Sequence, residues 1–194
     1  MKAERAAWPA RVAGVRPDDY VFLDEFGATT DMTRTHGRAP PGERVVARVP
    51  HGHWKVVSTV AAMTTRGIVA AASFDGAVDT DLFLAFVRHE LVPALRPGQA
   101  VVMDNLSPHK SPEVERLVGA AGARVLRLPP YSPDLNPIEQ AISKVKGILR
   151  SLARRTVKAL YDAIGEALGA VTPGDALAFI RHCGYHATAE CKPL

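Results

Sequence analysis

Two apolar runs, Tyr20–Leu23 (YVFL) and Ala100–Met103 (AVVM), each stop at an aspartate, Asp24 and Asp104. Short runs of this kind, rich in β-formers, read as buried strands. A buried strand needs cover, and the intervening segments carry helical patterns that supply it. Lys55–Met63 and Ile68–Phe74 are β-prone stretches separated by Thr64, Thr65, Arg66 and Gly67, so they read as a hairpin continuing the first strand, three antiparallel strands in all. Asp79 or Thr80 can cap a helix reaching Leu95, with Leu82, Phe83, Phe86, Val87 and Leu91 on one face and Pro97 and Gly98 as the stop. Ser111 and Pro112 open another helix as cap and first residue, Gly122 closes it, and Arg124–Leu128 is a fifth strand.

The block PPYSPDLNP that follows cannot continue a strand or a helix. It delivers a helix with a strong start: Asn136 as cap, Pro137 first, and Glu139 three residues after the cap, running to about Arg150. Thr156–Gly169 and Thr172–Cys183 predict two final amphipathic helices. The order β-β-β-α-β-α-β-α-α-α predicts an α/β domain, a five-stranded mixed sheet flanked by helices, over residues 20–186. Residues 1–19 read as a leader, helix or coil, in which Trp8 points to packing against the body, and 187–194 as a tail. Ala28–Pro50, with Gly37, Pro40, Pro41, Gly42 and Pro50, predicts an extended loop or irregular hairpin. Trp54 is expected in the core.

A length of 194 residues with 47% apolar and 23% charged composition suits one compact domain. No apolar run approaches the roughly 20 residues of a membrane span, and the N-terminus lacks a signal peptide's apolar stretch, so a cytoplasmic protein without membrane contact is expected. Cys183 and Cys191 are too few for a disulfide framework, in keeping with a reducing compartment. With His182 and His186 they match no usual zinc spacing. The net charge is +4, and the cations cluster. Lys144, Lys146, Arg150, Arg154, Arg155 and Lys158 lie between Gln140 and Leu160 without an acid, and Arg34, Arg38, Arg44, Arg48 and Lys55 stand against Glu43 alone. Such patches suit a phosphate backbone, and equally an ordinary solvated surface.

Sites collect at strand ends in open α/β sheets, and adjacent strands would bring Asp24 and Asp104 together. Two close carboxylates repel, which implies a cation or a shared proton. Oxygen ligands without Cys or His favour Mg²⁺ or Mn²⁺ over zinc. The competing reading is that each aspartate caps the following turn. Glu139 has its own structural reading, reaching back to the backbone N–H of the helix cap. Glu139 lies 35 positions beyond Asp104, leaving 34 residues between them.

That spacing and three blocks, FLDEFG at Phe22–Gly27, VVMDNLSPHKS at Val101–Ser111 and LPPYSPDLNPIEQ at Leu128–Gln140, resemble the catalytic domain of bacterial insertion-sequence transposases related to the Tc/mariner superfamily. MTRTHGRAP at Met32–Pro40 and VPHGHWK at Val49–Lys55 also look like that family. The resemblance covers roughly residues 20–186 and implies an RNase H-like fold. It implies that Asp24, Asp104 and Glu139 are catalytic ligands of two Mg²⁺ or Mn²⁺ ions, in DNA strand cleavage and strand transfer. It selects Asp24 over Glu25, whose side chain leaves the other side of a regular strand. Phe26 stands where the family commonly has threonine, and Ile142 and Val145 replace an aromatic residue and a leucine.

The implied partners are terminal inverted repeats and target DNA, bound by a homo-oligomer. The helix-turn-helix modules of such enzymes are missing from the sequence, so an upstream-encoded helix-turn-helix product or a truncated copy is expected. On the helix after Asn136, Lys146 and Arg150 share the side of Glu139, and with Lys144, Arg154 and Arg155 they are the candidate DNA contacts. Asn105 and His109 either orient Asp104 or a phosphate, or stabilise the turn. His51 and His53 read as loop or DNA contacts. Two rivals remain: an inactive remnant that only binds DNA, and a general RNase H-like nuclease, which leaves the long SPDLNPIEQ block without a purpose.

Overall fold

The computed structural model describes residues 2–186. Its sheet has five strands in the order β3-β2-β1-β4-β5: β1 (Tyr20–Thr29), β2 (Val56–Thr64), β3 (Gly67–Asp75), β4 (Ala100–Met103) and β5 (Arg124–Arg127). The first three strands are antiparallel neighbours, while β4 runs parallel to β1 and β5 parallel to β4. The expected mixed sheet is therefore present, with β1 extended five residues past Asp24, because Glu25–Thr29 pair with Val60–Val56. The irregular segment accordingly begins and ends later than expected, leading from Thr30 to Lys55 without regular elements.

Alternation along β1 divides the core. Tyr20, Phe22, Phe26 and Ala28 face one side, against α5 (Ile138–Leu152), α6 (Val157–Gly169) and α7 (Pro173–His182). Val21 and Leu23 face the other, against α2 (Thr80–Phe86), the π-helical turn Val87–Leu91 that follows it, and α4 (Pro112–Ala120). The helix expected to reach Leu95 is present and continuous from Thr80 to Ala94, with a π-helical stretch at Val87–Leu91 between α2 and a last short turn, α3 (Val92–Ala94), which carries Pro93. Asp79 is its cap and accepts from the Leu82 backbone N–H at 2.9 Å. Ser111 starts α4 without a side-chain capping bond. Ile142 and Val145, which depart from the family pattern, are buried in the α5 face of the core.

The leader is helical: α1 (Lys2–Val12) packs Trp8, 3% exposed, onto the body. Trp54 departs from expectation. It is 56% exposed, because it belongs to the irregular segment before β2 and not to the strand itself. Cys191 and the expected tail, 187–194, lie outside the described residues. No single helix among the described residues is long and apolar enough to cross a membrane.

Candidate active site

The register of the parallel pair brings Asp24, within β1, and Asp104, just past the end of β4, side by side. Phe22 is opposite Val102, so Asp24 and Asp104, each two residues further on, reach the same level. Glu139 enters from the first turn of α5, and all three carboxylates line one cleft of about 510 Å³. Its other walls come from the turn after β4 (Asn105, Leu106, Lys110) and from the Pro-rich block, Pro129 to Pro133 with Asn136.

The aspartates are held differently. Asp24 is 8% exposed; its Oδ1 accepts from the Glu25 backbone N–H at 2.8 Å and its Oδ2 from Asn136 Nδ2 at 2.7 Å. Burial pushes its carboxyl up, and the negative charges of Glu139, Asp104 and Glu25 push it further against the opposing Glu25 N–H bond, to about 7. Asp104 is half-buried. Burial pushes it up too, but the His109 ring bond, the Leu106 backbone N–H and the charges of His109 and Arg127 together outweigh that, and it lies below the usual carboxylate value.

His109 Nδ1 is 2.6 Å from Asp104 Oδ1. An ionised carboxylate only accepts, so Nδ1 carries the proton. The imidazole is buried against Phe83, with ring centroids 4.3 Å apart. Arg127 Nη2 donates to the His109 carbonyl at 2.5 Å, fixing the turn from beneath. Arg127 had not been singled out in the sequence; it lies on a strand whose pattern gives no hint of an inward charge.

Asn136 corrects the local reading of its helix. Its side chain makes no capping bond to α5; it reaches across to Asp24, and its Oδ1 is buried without a hydrogen-bond partner. Glu139 makes no capping box either. Its side chain is exposed, with no hydrogen bond among the described residues, and only its backbone N–H bonds Asn136, at the carbonyl. Asn105 Nδ2 donates to the Leu128 carbonyl at 2.7 Å, tying the ends of β4 and β5 together, so of its two expected roles the structure gives it the stabilising one. Glu25 lies on the other side of β1, as alternation requires. Its carboxyl is raised by burial, with His109 and a Ser58 hydroxyl opposing and Asp104 adding.

Two of the five cations expected to contact DNA have protein partners. Lys144 Nζ donates to Asp175 Oδ2 at 2.6 Å, within the capping box with which Thr172 and Asp175 start α7. Arg155 Nη1 holds the carbonyls of Thr30 and Met32 at 3.0 and 2.7 Å, anchoring the irregular segment as it leaves β1. Lys146 and Arg150 are half-exposed on α5 and Arg154 exposed after it. Arg150 lines a second cleft with Arg34 and His36.

The cleft's donor set is all oxygen. Burial first, and the neighbouring carboxylates second, disfavour the charge on Asp24; a divalent cation would offset both, and in that respect the residues fit one. Among the described residues no three His, Cys, Asp or Glu side chains stand within reach of a single ion. Asp24 and Asp104 are each held by hydrogen bonds, whereas the Glu139 side chain makes none among the described residues. The C-terminal His/Cys group forms no such cluster within the described residues either, and Cys183 Sγ accepts from Gln140 Nε2 at 3.4 Å.

The model of the family described as DDE superfamily endonuclease matches residues 19–161. Among solved structures, the Mos1 transposase paired-end complex with left transposon end is similar with a TM-score of 0.75 at 17% identity, over 94% of this chain and 57% of that one. The mariner Mos1 paired end complex with Mg gives 0.71 at 18% identity, over 93% and 56%. The catalytic domain of Mos1 mariner transposase gives 0.65 at 15% identity, over 94% and 85%. At these identities the likeness is one of fold, an RNase H-like sheet with its flanking helices. The chain spans little more than half the length of the transposase chains in the two complexes. No curated protein matches its sequence.

Proposed function

The chain belongs to the DDE superfamily endonucleases, and from that premise we propose that it is the catalytic domain of a DNA transposase, cutting and joining the DNA of an insertion sequence in the cytoplasm. The single observation that carries this reading is the meeting of Asp24, Asp104 and Glu139 in one cleft from three separate elements. Asp24, Asp104 and Glu139 are proposed as the ligands of two divalent ions, Mg²⁺ or Mn²⁺. When bound, such ions supply an activated water or DNA 3′-hydroxyl and stabilisation of the leaving oxygen in an in-line displacement at phosphorus.

The chain's own residues prepare that site. Asn136 and the Glu25 N–H orient Asp24, and the His109 ring fixes one oxygen of Asp104. A ligand fixed by its neighbours needs little reordering when it binds. Lys146, Arg150 and Arg154 are proposed to neutralise DNA phosphates beside the cleft, while Lys144 and Arg155 hold α7 and the irregular segment in place. The proposed substrate is a terminal inverted repeat and then target DNA, engaged by an oligomer of this chain. A helix-turn-helix region, encoded with the chain or separately, would supply the recognition.

Mg²⁺-dependent cleavage of DNA carrying the element's terminal repeats tests this, with the chain alone and with any adjacent helix-turn-helix product. Cleavage is expected from the native chain and not from Asp104→Ala. Folded, metal-bound protein that cuts in neither setting would leave a protein that only binds DNA. Equal cutting by Asp104→Ala would remove the ligand assignment.

A further inference from the structure

Large apolar side chains lie exposed at seven positions among the described residues, and five of these are Val45, Val46, Val49 and Trp54 on the approach to β2 and Val56, its first residue. The other two, Leu106 at 47% and Tyr131 at 88% exposure, both line the carboxylate cleft. They come from the two loops that carry the chemistry, Leu106 two residues after Asp104 and Tyr131 from the block leading to Glu139. The exposed Lys110 lines the same cleft.

Tyr131 is also held against its backbone preference. Its φ is 53°, in the left-handed region, where an aromatic residue is an outlier. The other non-glycine residue there, Ala153, ends α5, where that conformation is usual. Tyr131 ends no helix. Its neighbours hold it: Ser132 Oγ donates to the Pro130 carbonyl at 3.2 Å, and Arg5 Nη1 donates to Ser132 Oγ at 2.8 Å. Such a conformation persists only where the surroundings over-determine it, and it marks a functional position. Here it keeps a phenol ring at the lip of the cleft, spending on solvent a surface that a core would use.

We propose that Tyr131 and Leu106 form a subsite for an unstacked nucleobase, next to the phosphodiester that the carboxylates handle, with Lys110 on a neighbouring phosphate. This rests on the reading of the cleft as a DNA-cutting site. A phosphodiester that reaches Asp24 on the buried floor carries its flanking nucleotide past the lip. The phenol ring and the leucine side chain offer a base a stacking face, and of the two only the Tyr131 hydroxyl could meet a phosphate, a contact that Tyr131→Phe removes. Every base has such a face, so the subsite selects single-strandedness and not sequence.

Binding is measured on the folded chain in EDTA, so that neither metal nor cleavage enters. The probe is a fluorescein-labelled duplex with a three-nucleotide 3′ extension, each base of the extension removed in turn as an abasic site. Removing one particular base is expected to weaken binding to the native chain about 5- to 150-fold. Tyr131→Phe keeps that dependence, while Tyr131→Ala and Tyr131→Gly lose it. The glycine variant accepts a positive φ, so its loss belongs to the missing ring and not to backbone strain. Equal base dependence in the native and Tyr131→Gly proteins, or none in the native protein at any of the three positions, overturns the proposal. Cleavage in Mg²⁺ is assayed in parallel. Cutting without base dependence rejects the subsite alone, and base dependence without cutting rejects the catalytic reading alone.

Discussion

Asp24, midway along β1, and Asp104, just after β4, are the same residue at the same level of the sheet, yet they make opposite environments. Asp24 is buried, bonded by a neutral amide and a backbone N–H, and surrounded by acids, so its carboxyl rises to about 7. Asp104 is more open, bonded by His109 with Arg127 behind it, and it falls below its usual value. Charge is therefore stored at one aspartate and compensated at the other. The difference teaches that the site is built asymmetrically: as proposed ligands, Asp104 is ionised without a cation, while Asp24 gains from one.

The largest expected effect ignores the asymmetry. Asp24→Asn and Asp104→Asn each remove a proposed ligand and are expected to lower Mg²⁺-dependent cleavage by on the order of 10³-fold or more, read from product per unit time on labelled DNA. A variant that keeps a tenth of native activity would take its residue out of the ligand set.

Stability breaks the pair apart. A carboxyl raised from 3.8 to about 7 binds a proton in the fold that the unfolded chain has already released, so metal-free stability falls as pH rises from about 4 to 7 and is flat above. At pH 8 the buried charge costs on the order of 4 kcal/mol. Asp24→Asn lifts that cost, and Asn136 can turn its amide to meet the new one. The variant should therefore melt higher than the native chain at pH 8, and no higher at pH 4. Asp104 has the opposite sign: its folded value is lowered, so its contribution is present above about 3.8 and disappears as pH falls below that. Asp104→Asn should melt lower at pH 8, by roughly 1 kcal/mol for a half-exposed bond. Melting curves of both variants without metal decide the matter. A shared direction at pH 8 would mean that the two aspartate sites are alike after all.

The supports come next. His109→Ala is expected to weaken Mn²⁺ binding about 10- to 100-fold, the usual cost of losing the group that orients a ligand. Raised metal concentration should restore cleavage. Asn136→Ala leaves Asp24 with one bond fewer and should move the pH at which metal binds upward, where His109→Ala acts through the other aspartate. Titrations of Mn²⁺ at several pH values separate the two, and identical profiles would count against distinct supports.

The legible and illegible parts of this site follow the range of the forces involved. Both aspartates could be read because an apolar run that stops at an acid is a local signal, and the strand count placed the runs beside each other. Asn136 was misread for the same reason. Its local pattern is that of a helix cap, but it is bonded to a residue 112 positions away, and no short-range pattern encodes that contact. Lys144 reads as a surface cation until α7 brings Asp175 to it, and Trp54 reads as core until the strand is seen to start after it. The two aspartates thus carried a local mark, Glu139 was singled out by its spacing from Asp104 and by the blocks that resemble the family, and their supports lie in tertiary contacts.

The leader is the part that local signals describe least, and it bears on the same comparison with the smallest effect. Arg5 on α1 forks onto Asp134 at 2.8 and 2.6 Å as well as onto Ser132, while Trp8 Nε1 donates to the Tyr185 hydroxyl at 3.2 Å and that hydroxyl donates to the Leu135 carbonyl at 2.6 Å. These bonds brace the block just before Asn136, on the Asp24 side of the site; Asp104 has no share in them. Arg5→Ala loses an exposed, solvent-screened ion pair, which leaves the fold intact but loosens the block. Cleavage is expected to fall a few-fold with DNA affinity unchanged. The shift in metal binding should resemble that of Asn136→Ala, not that of His109→Ala. A loss of cleavage that instead tracks weakened DNA binding would make α1 a DNA contact and not a brace.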